Sequence, residues 1–264
     1  MDDVGPPQRI RWYNTPNHGS AKNLAPQVTS MVTAGGVIFT AEDRATSENV
    51  HAAAEYTLVA RDAFNGIELW TKPLLKWETE AGGSIKSIPT SIRKLLIAKG
   101  EYIYCPLGHD EAIVELIGKT GELSKTFKST KKTKEMSLSN GMLYGIKAPA
   151  GKTVSAKEVD RDRRSKAPQK GSDASIDPKS VSELYALDVK TGQLQWAHNL
   201  TTGYTAATLS VKGGYLVIST PKEIVCLNSG SGKVEWRKTY AIAEEIPKAV
   251  KKEKDLKKEE EAWI

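Results

Sequence analysis

The chain has 264 residues, 39% of them apolar, and a formal charge of +6 from 38 basic and 32 acidic side chains. That apolar content supports a sizeable core. No run of 18 apolar residues is present to cross a bilayer as a helix, and no apolar segment follows Met1 to act as a visible export signal. The positive excess is spread along the chain without a basic stripe interleaved with aromatics, which argues against nucleic acid as a partner.

Taken in order, residues 1–7 read as an unstructured lead-in. Residues 8–14 carry Ile10-x-Trp12, a spacing that returns as Leu194-x-Trp196 and Val234-x-Trp236. They read as an outer strand with no partner strands before it, so the sequence is expected to be part of a larger ring or to need a partner to complete one. From residue 26 a single unit then repeats four times. Each copy has an early turn, at Gly35-Gly36, Lys99-Gly100, Asn140-Gly141 and Gly213-Gly214, followed by a short apolar or aromatic run. A later turn carries Asp62…Gly66…Trp70, Asp188…Thr191-Gly192…Trp196 and Asn228…Gly232…Trp236. The copy around Gly121 keeps only the turn, with Ile117 at the acidic position, Lys125 at the tryptophan position and Phe127 two residues on.

Glycine suits both turns because tight hairpin loops need positive φ. Two tight turns per repeat define four antiparallel strands, and a repeated four-stranded meander is the mark of propeller blades. The fold class expected is all-β, a β-propeller of about four blades at 26–73, 90–128, 133–200 and 205–240, making one segment over 8–240. From the early-turn glycine to the late-turn glycine the four copies span 30, 21, 51 and 18 residues. The extra length falls in the connection between second and third strands. A further extension at 74–83 joins blades one and two. Both kinds of extension share one face, so that face is the candidate functional surface. The longest insertion, 148–181, is charged and apolar-poor and reads as a flexible loop. After Tyr240, residues 241–264 are rich in Glu and Lys at helical spacing and read as a charged helical tail or linker.

The motif Ala-x-Asp-x-x-Thr-Gly-x-x-x-Trp, complete at 186–196 and nearly so at 60–70 and 226–236, resembles the docking motif of the pyrroloquinoline-quinone-like (PQQ-like) repeat propellers. The resemblance implies that Trp70, Trp196 and Trp236 pack between neighbouring blades and that the residues at 62, 188 and 228 brace the turns. It also implies an extracytoplasmic or periplasmic setting, a protein partner and a scaffolding role of the kind served by outer-membrane assembly lipoproteins. The alternatives are a fragment of a quinone-dependent alcohol or sugar dehydrogenase, or the accessory propeller of a larger enzyme. PQQ and calcium enter by resemblance only, and no cofactor is assigned.

Chemistry is thinly marked. His18, His51, His109 and His198 form no zinc motif, and Cys105 and Cys226 form neither a Cys-x-x-Cys pair nor a haem attachment. The candidate loop face gathers Glu42, Asp43 and Arg44, then His109 and Asp110, with Lys147. A site drawn from Asp43, His109 and Lys147 is weighed against the plainer reading of exposed polar loops. Open blade edges lead us to expect self-association.

Overall fold

The computed structural model describes residues 28–44, 55–77, 90–147, 182–200, 208–219 and 223–239. The lead-in, the strand expected at 8–14, the insertion at 148–181 and the tail at 241–264 lie outside them. Among the described residues sixteen strands form four sheets, each a meander of consecutive antiparallel strands. Blade one holds β1 (Val28–Ala34), β2 (Val37–Asp43), β3 (Tyr56–Asp62) and β4 (Glu68–Pro73). Blade two holds β5 (Ile97–Lys99), β6 (Tyr102–Pro106), β7 (Ile113–Ile117) and β8 (Leu123–Phe127). Blade three holds β9 (Thr133–Ser139), β10 (Met142–Lys147), β11 (Ser182–Asp188) and β12 (Leu194–Leu200). Blade four holds β13 (Thr208–Lys212), β14 (Tyr215–Ser219), β15 (Glu223–Asn228) and β16 (Val234–Thr239). First strands of neighbouring blades lie together, β1 beside β5 and β9 beside β13, and the short 3-10 turn Thr90–Lys94 packs against β1 and β9.

Alternation along each strand assigns its side chains to opposite neighbours. In β11, Tyr185 and Leu187 join the core shared by blades one to three, while Leu184 and Ala186 join the core shared with blade four. The sheet of blade three therefore separates two apolar layers. A register shift of the same kind recurs where each third strand meets its fourth, at Ala60/Arg61, Glu115/Leu116, Ala186/Leu187 and Cys226/Leu227. It lets the late turn close in every blade with the glycine N–H donating to the carbonyl four residues earlier, at 2.7–2.8 Å.

An Asp or Asn side chain braces the turn in blades one, three and four. Asp62 Oδ1 accepts from the N–H groups of Phe64 and Asn65 at 2.8 and 3.0 Å, Asp188 Oδ1 from Thr191 at 2.9 Å, and Asn228 Oδ1 from Gly230 and Ser231 at 3.1 Å each. Such bonds hold the Asp188 carboxyl below its ordinary pKa. The tryptophan then docks one blade on. Trp70 Nε1 donates to Gly118 O at 2.7 Å, and Trp196 Nε1 donates to Ser229 O at 2.9 Å. A Cβ on Gly121 would stand 2.7 Å from the Trp70 ring, and one on Gly232 2.6 Å from the Trp196 ring. Those glycines are thus required twice, by φ values of +72° and +70° and by the indole lying on them.

Blade two solves the same joint without tryptophan. Lys125 Nζ donates to the carbonyls of Val189 and Lys190 at 2.9 and 3.1 Å, supplying the hydrogen bond of the missing indole. Phe127 covers Gly192 from the side, 3.9 Å from the position of a Cβ there, and stacks on Tyr104.

Candidate interaction face

The connections between second and third strands and between consecutive blades share one face, and the structure knots two of them together there. After β4, Leu74–Trp77 crosses to blade two as a strap. Leu75 N donates to Leu107 O at 2.8 Å, His109 N donates to Leu75 O at 2.9 Å, and Leu75 forms a parallel bridge with Gly108. Trp77 seals the joint at 1% exposure, its ring edge-on to His109 at 5.5 Å between centroids. Its Nε1 is buried without a hydrogen-bond partner.

The connection between blades two and three closes over the same place. Lys134 Nζ lies 3.2 Å from His109 Nε2 and donates to Asp110 Oδ1 at 2.8 Å, while Lys132 N donates to Asp110 O at 3.0 Å. Lys76, Asp110 and Lys132 all hold left-handed φ, at 62°, 63° and 64°. Side chains with a Cβ avoid that region, and such residues concentrate where surrounding contacts over-determine the backbone. Between strap and blade lies a cavity of about 250 Å³, floored by Leu107, Ala112 and Val114 and bounded by Leu75 and Thr126, with Lys76 and Glu111 at its rim.

The remaining residues expected on this face are held separately. Asp43 Oδ1 accepts from Glu55 N at 2.9 Å, and Lys147 pairs with Glu183 and lies over the Tyr185 ring. His109 faces Lys134. The three are therefore engaged separately, Asp43 and His109 between strand and loop and Lys147 across β10 and β11. Glu42 and Asp43 also belong to β2 rather than to a loop, at 1% and 6% exposure, and Lys147 is the last residue of β10.

Glu42 meets Arg61, whose guanidinium also reaches Thr40 Oγ1 at 3.1 Å, while Arg44 Nη2 donates to Glu68 Oε2 at 2.5 Å. Burial opposes the charge of Glu42, but hydrogen bonds from Arg61 and Thr40 and the charges of Arg61 and Arg44 outweigh it and hold the carboxyl below its ordinary pKa. Arg61 occupies the column in which the other blades carry Leu116, Leu187 and Leu227, all fully buried. The polarity and loop position that pick out candidate residues do not pick out Arg61, although the aligned repeats display one arginine among three leucines. Trp77 and Lys134 carry no such signal, because their partners come from other blades.

Residues 180–251 match a PQQ-type repeat family model described as outer membrane protein assembly factor BamB. Residues 180–251 thus resemble a PQQ-like repeat. No curated protein matches it. Among solved structures, a europium-containing methanol dehydrogenase aligns over 88% of this chain and 45% of its own length, at 14% identity and a TM-score of 0.52. An acylaminoacyl peptidase from Pyrococcus horikoshii aligns over 81% and 33%, at 10% identity and a TM-score of 0.50. BamB from Moraxella catarrhalis aligns over 79% and 47%, at 14% identity and a TM-score of 0.43. The chain thus spans less than half the length of each. A dehydrogenase and a peptidase fit the same backbone about equally, so these likenesses establish the fold and leave activity to the site.

Quinone dehydrogenases of this fold class need carboxylate and amide oxygens to hold calcium. Among the described residues no group of three or more His, Cys, Asp or Glu side chains is placed to hold a metal ion. No helix in the described residues is long and apolar enough to cross a membrane.

Proposed function

We propose that this propeller segment is a non-catalytic scaffold that binds a protein partner through its built-out loop face. One observation carries the reading. The strap, the His109 loop and the Lys132 loop are joined by hydrogen bonds and hold three non-glycine residues in left-handed conformation, whereas the tight turns described on the opposite face hold one, Asn140. A fixed surface assembled from several loops suits recognition. The family description as an outer-membrane assembly factor supports a protein partner and an extracytoplasmic setting. Residues 1–7 as lead-in and 8–240 as one propeller segment are part of the same reading.

The test is site-specific photo-crosslinking in cells of the source organism. A crosslinker at His109 or Lys147 on the loop face should capture a defined protein, and one at Lys190 or Lys212 on the turn face should not. Capture from the turn face alone, or from neither face, would remove the reading.

A further inference from the structure

Blade two ends at β8, the last strand of its sheet, so one row of β8 backbone N–H and C=O groups lies outside the blade's own ladder. The cavity beside the strap reaches this strand through Thr126, whose side chain is exposed. At about 250 Å³ it falls below the range of roughly 300–1,000 Å³ usual for small-molecule and cofactor sites. Its floor is aliphatic, and Leu75 stands beside it 59% exposed. Such a volume and lining suit an apolar side chain delivered by a polypeptide.

Charge along β8 and its flanks is mostly basic, with Glu115 on β7 3.9 Å from Lys125 and Glu111 at the cavity rim. From 119 to 134 the sequence carries Lys119, Lys125, Lys128, Lys131, Lys132 and Lys134 against Glu122 alone. Lys134 is taken by Asp110 and Lys131 by Glu111, while Lys119 lies exposed at one end of β8 and Lys128 and Lys132 at the other. We infer that β8 and the adjoining cavity form a docking site for an extended acidic segment of a partner protein, which pairs along the β8 edge and places one apolar side chain in the cavity. Main-chain pairing supplies affinity, the pocket supplies selection, and the lysines steer the approach. The inference rests on the partner-binding reading and names the chemistry of that partner.

The full chain is titrated by calorimetry with end-blocked octapeptides of alternating Glu and Thr, carrying a central Leu or a central Ser, and with a Lys-for-Glu counterpart of the Leu peptide. The Leu peptide should bind, the Ser peptide at least about tenfold more weakly, and the Lys peptide not at all. Added salt should weaken the Leu peptide, and amide exchange at 123–127 should slow in its presence. Ala112→Phe, which fills the cavity, should weaken the Leu peptide at least about tenfold. Leu75→Asp does the same from an exposed position that leaves the fold intact. The inference is overturned if the Leu peptide fails to bind, if Leu and Ser peptides bind alike, or if binding ignores both variants. Should any of these occur while crosslinkers at His109 or Lys147 still capture a protein, the scaffold reading stands and only the β8 site fails.

Discussion

Gly214 and Gly232 lie in the two turns of blade four with similar backbone angles, φ +82° and +70°, but in different surroundings. A Cβ on Gly214 meets nothing within 4 Å, whereas one on Gly232 would stand 2.6 Å from the Trp196 ring. Gly214→Ala should therefore cost only the left-handed strain, about 1–2 kcal/mol. Gly232→Ala carries that strain and also pushes the indole off its seat. The displacement breaks the bond from Trp196 Nε1 to Ser229 O, a net loss of about 1 kcal/mol. It also forfeits part of the packing whose full removal in a Trp→Ala change costs about 3–5 kcal/mol. Because Trp196 is only part-buried, the excess of Gly232→Ala over Gly214→Ala should be about 2 kcal/mol. Urea unfolding followed by far-UV dichroism measures each variant, and Trp196→Ala completes a double-mutant cycle. Without the indole, Gly232→Ala should fall to the strain cost alone. If the two glycine variants are equally destabilised, or if the excess survives Trp196→Ala, the docking account of the joint is wrong.

Arg61→Leu restores the leucine of the other blades but leaves Glu42 buried without its main partner, and should destabilise by about 3–5 kcal/mol in denaturant. Arg61→Leu with Glu42→Leu should recover most of that loss; failure to recover would mean that the ion pair is indispensable beyond charge satisfaction. Burial and the charge of Arg237 lower the pKa of His198, so the unfolded chain takes up its proton first as pH falls. Its contribution to stability is present above about 6.5 and lost below it, and His198→Leu should flatten that part of the pH profile. Burial pushes the Cys105 thiol up to about 12, so it should resist a thiol reagent at pH 8 in the folded chain and react after urea. Trp236 and Tyr215 are 49% and 53% exposed on blade four, and sedimentation should show association that Trp236→Lys reduces.

Much of this architecture is written locally. A glycine-bearing turn, a short apolar run and a second glycine lie within a few residues of one another, and backbone sterics act at that range. Hence four meanders can be placed from the chain, and the side chains of Asp62, Asp188 and Asn228 accept from backbone N–H groups two or three residues on. Contacts between blades are different. Trp70 reaches Gly118, Lys125 reaches Val189, and Glu135 accepts from the backbone N–H of Leu209 at 2.7 Å, each across tens of residues. Nothing in the neighbourhood of Lys125 announces that an ammonium takes over the hydrogen bond of an indole. The loop face is the least legible for this reason. His109 and Asp110 are marked by their polarity, but the side chains that fix them, Trp77 and Lys134, arrive from blades one and three. Glu42 resembles a loop carboxylate in sequence because its partner, Arg61, is on the next strand at a position where apolar side chains are the norm.

The same joints explain why variation in this chain is confined to one face. On the turn face, Gly121 is covered by Trp70 and Gly232 by Trp196, and the carbonyls of Gly118, Val189 and Ser229 already accept from the preceding blade. An inserted residue there would displace a docked side chain and an inter-blade hydrogen bond together. On the opposite face the extra length lies between Asp43 and Tyr56 and between Lys147 and Ser182, where a longer loop costs only a small, logarithmic entropy. The spans of 30, 21, 51 and 18 residues between turn glycines are the outcome. We therefore propose recognition for the strap and the loops around His109, whose surface can change without displacing the docked side chains of the turn face.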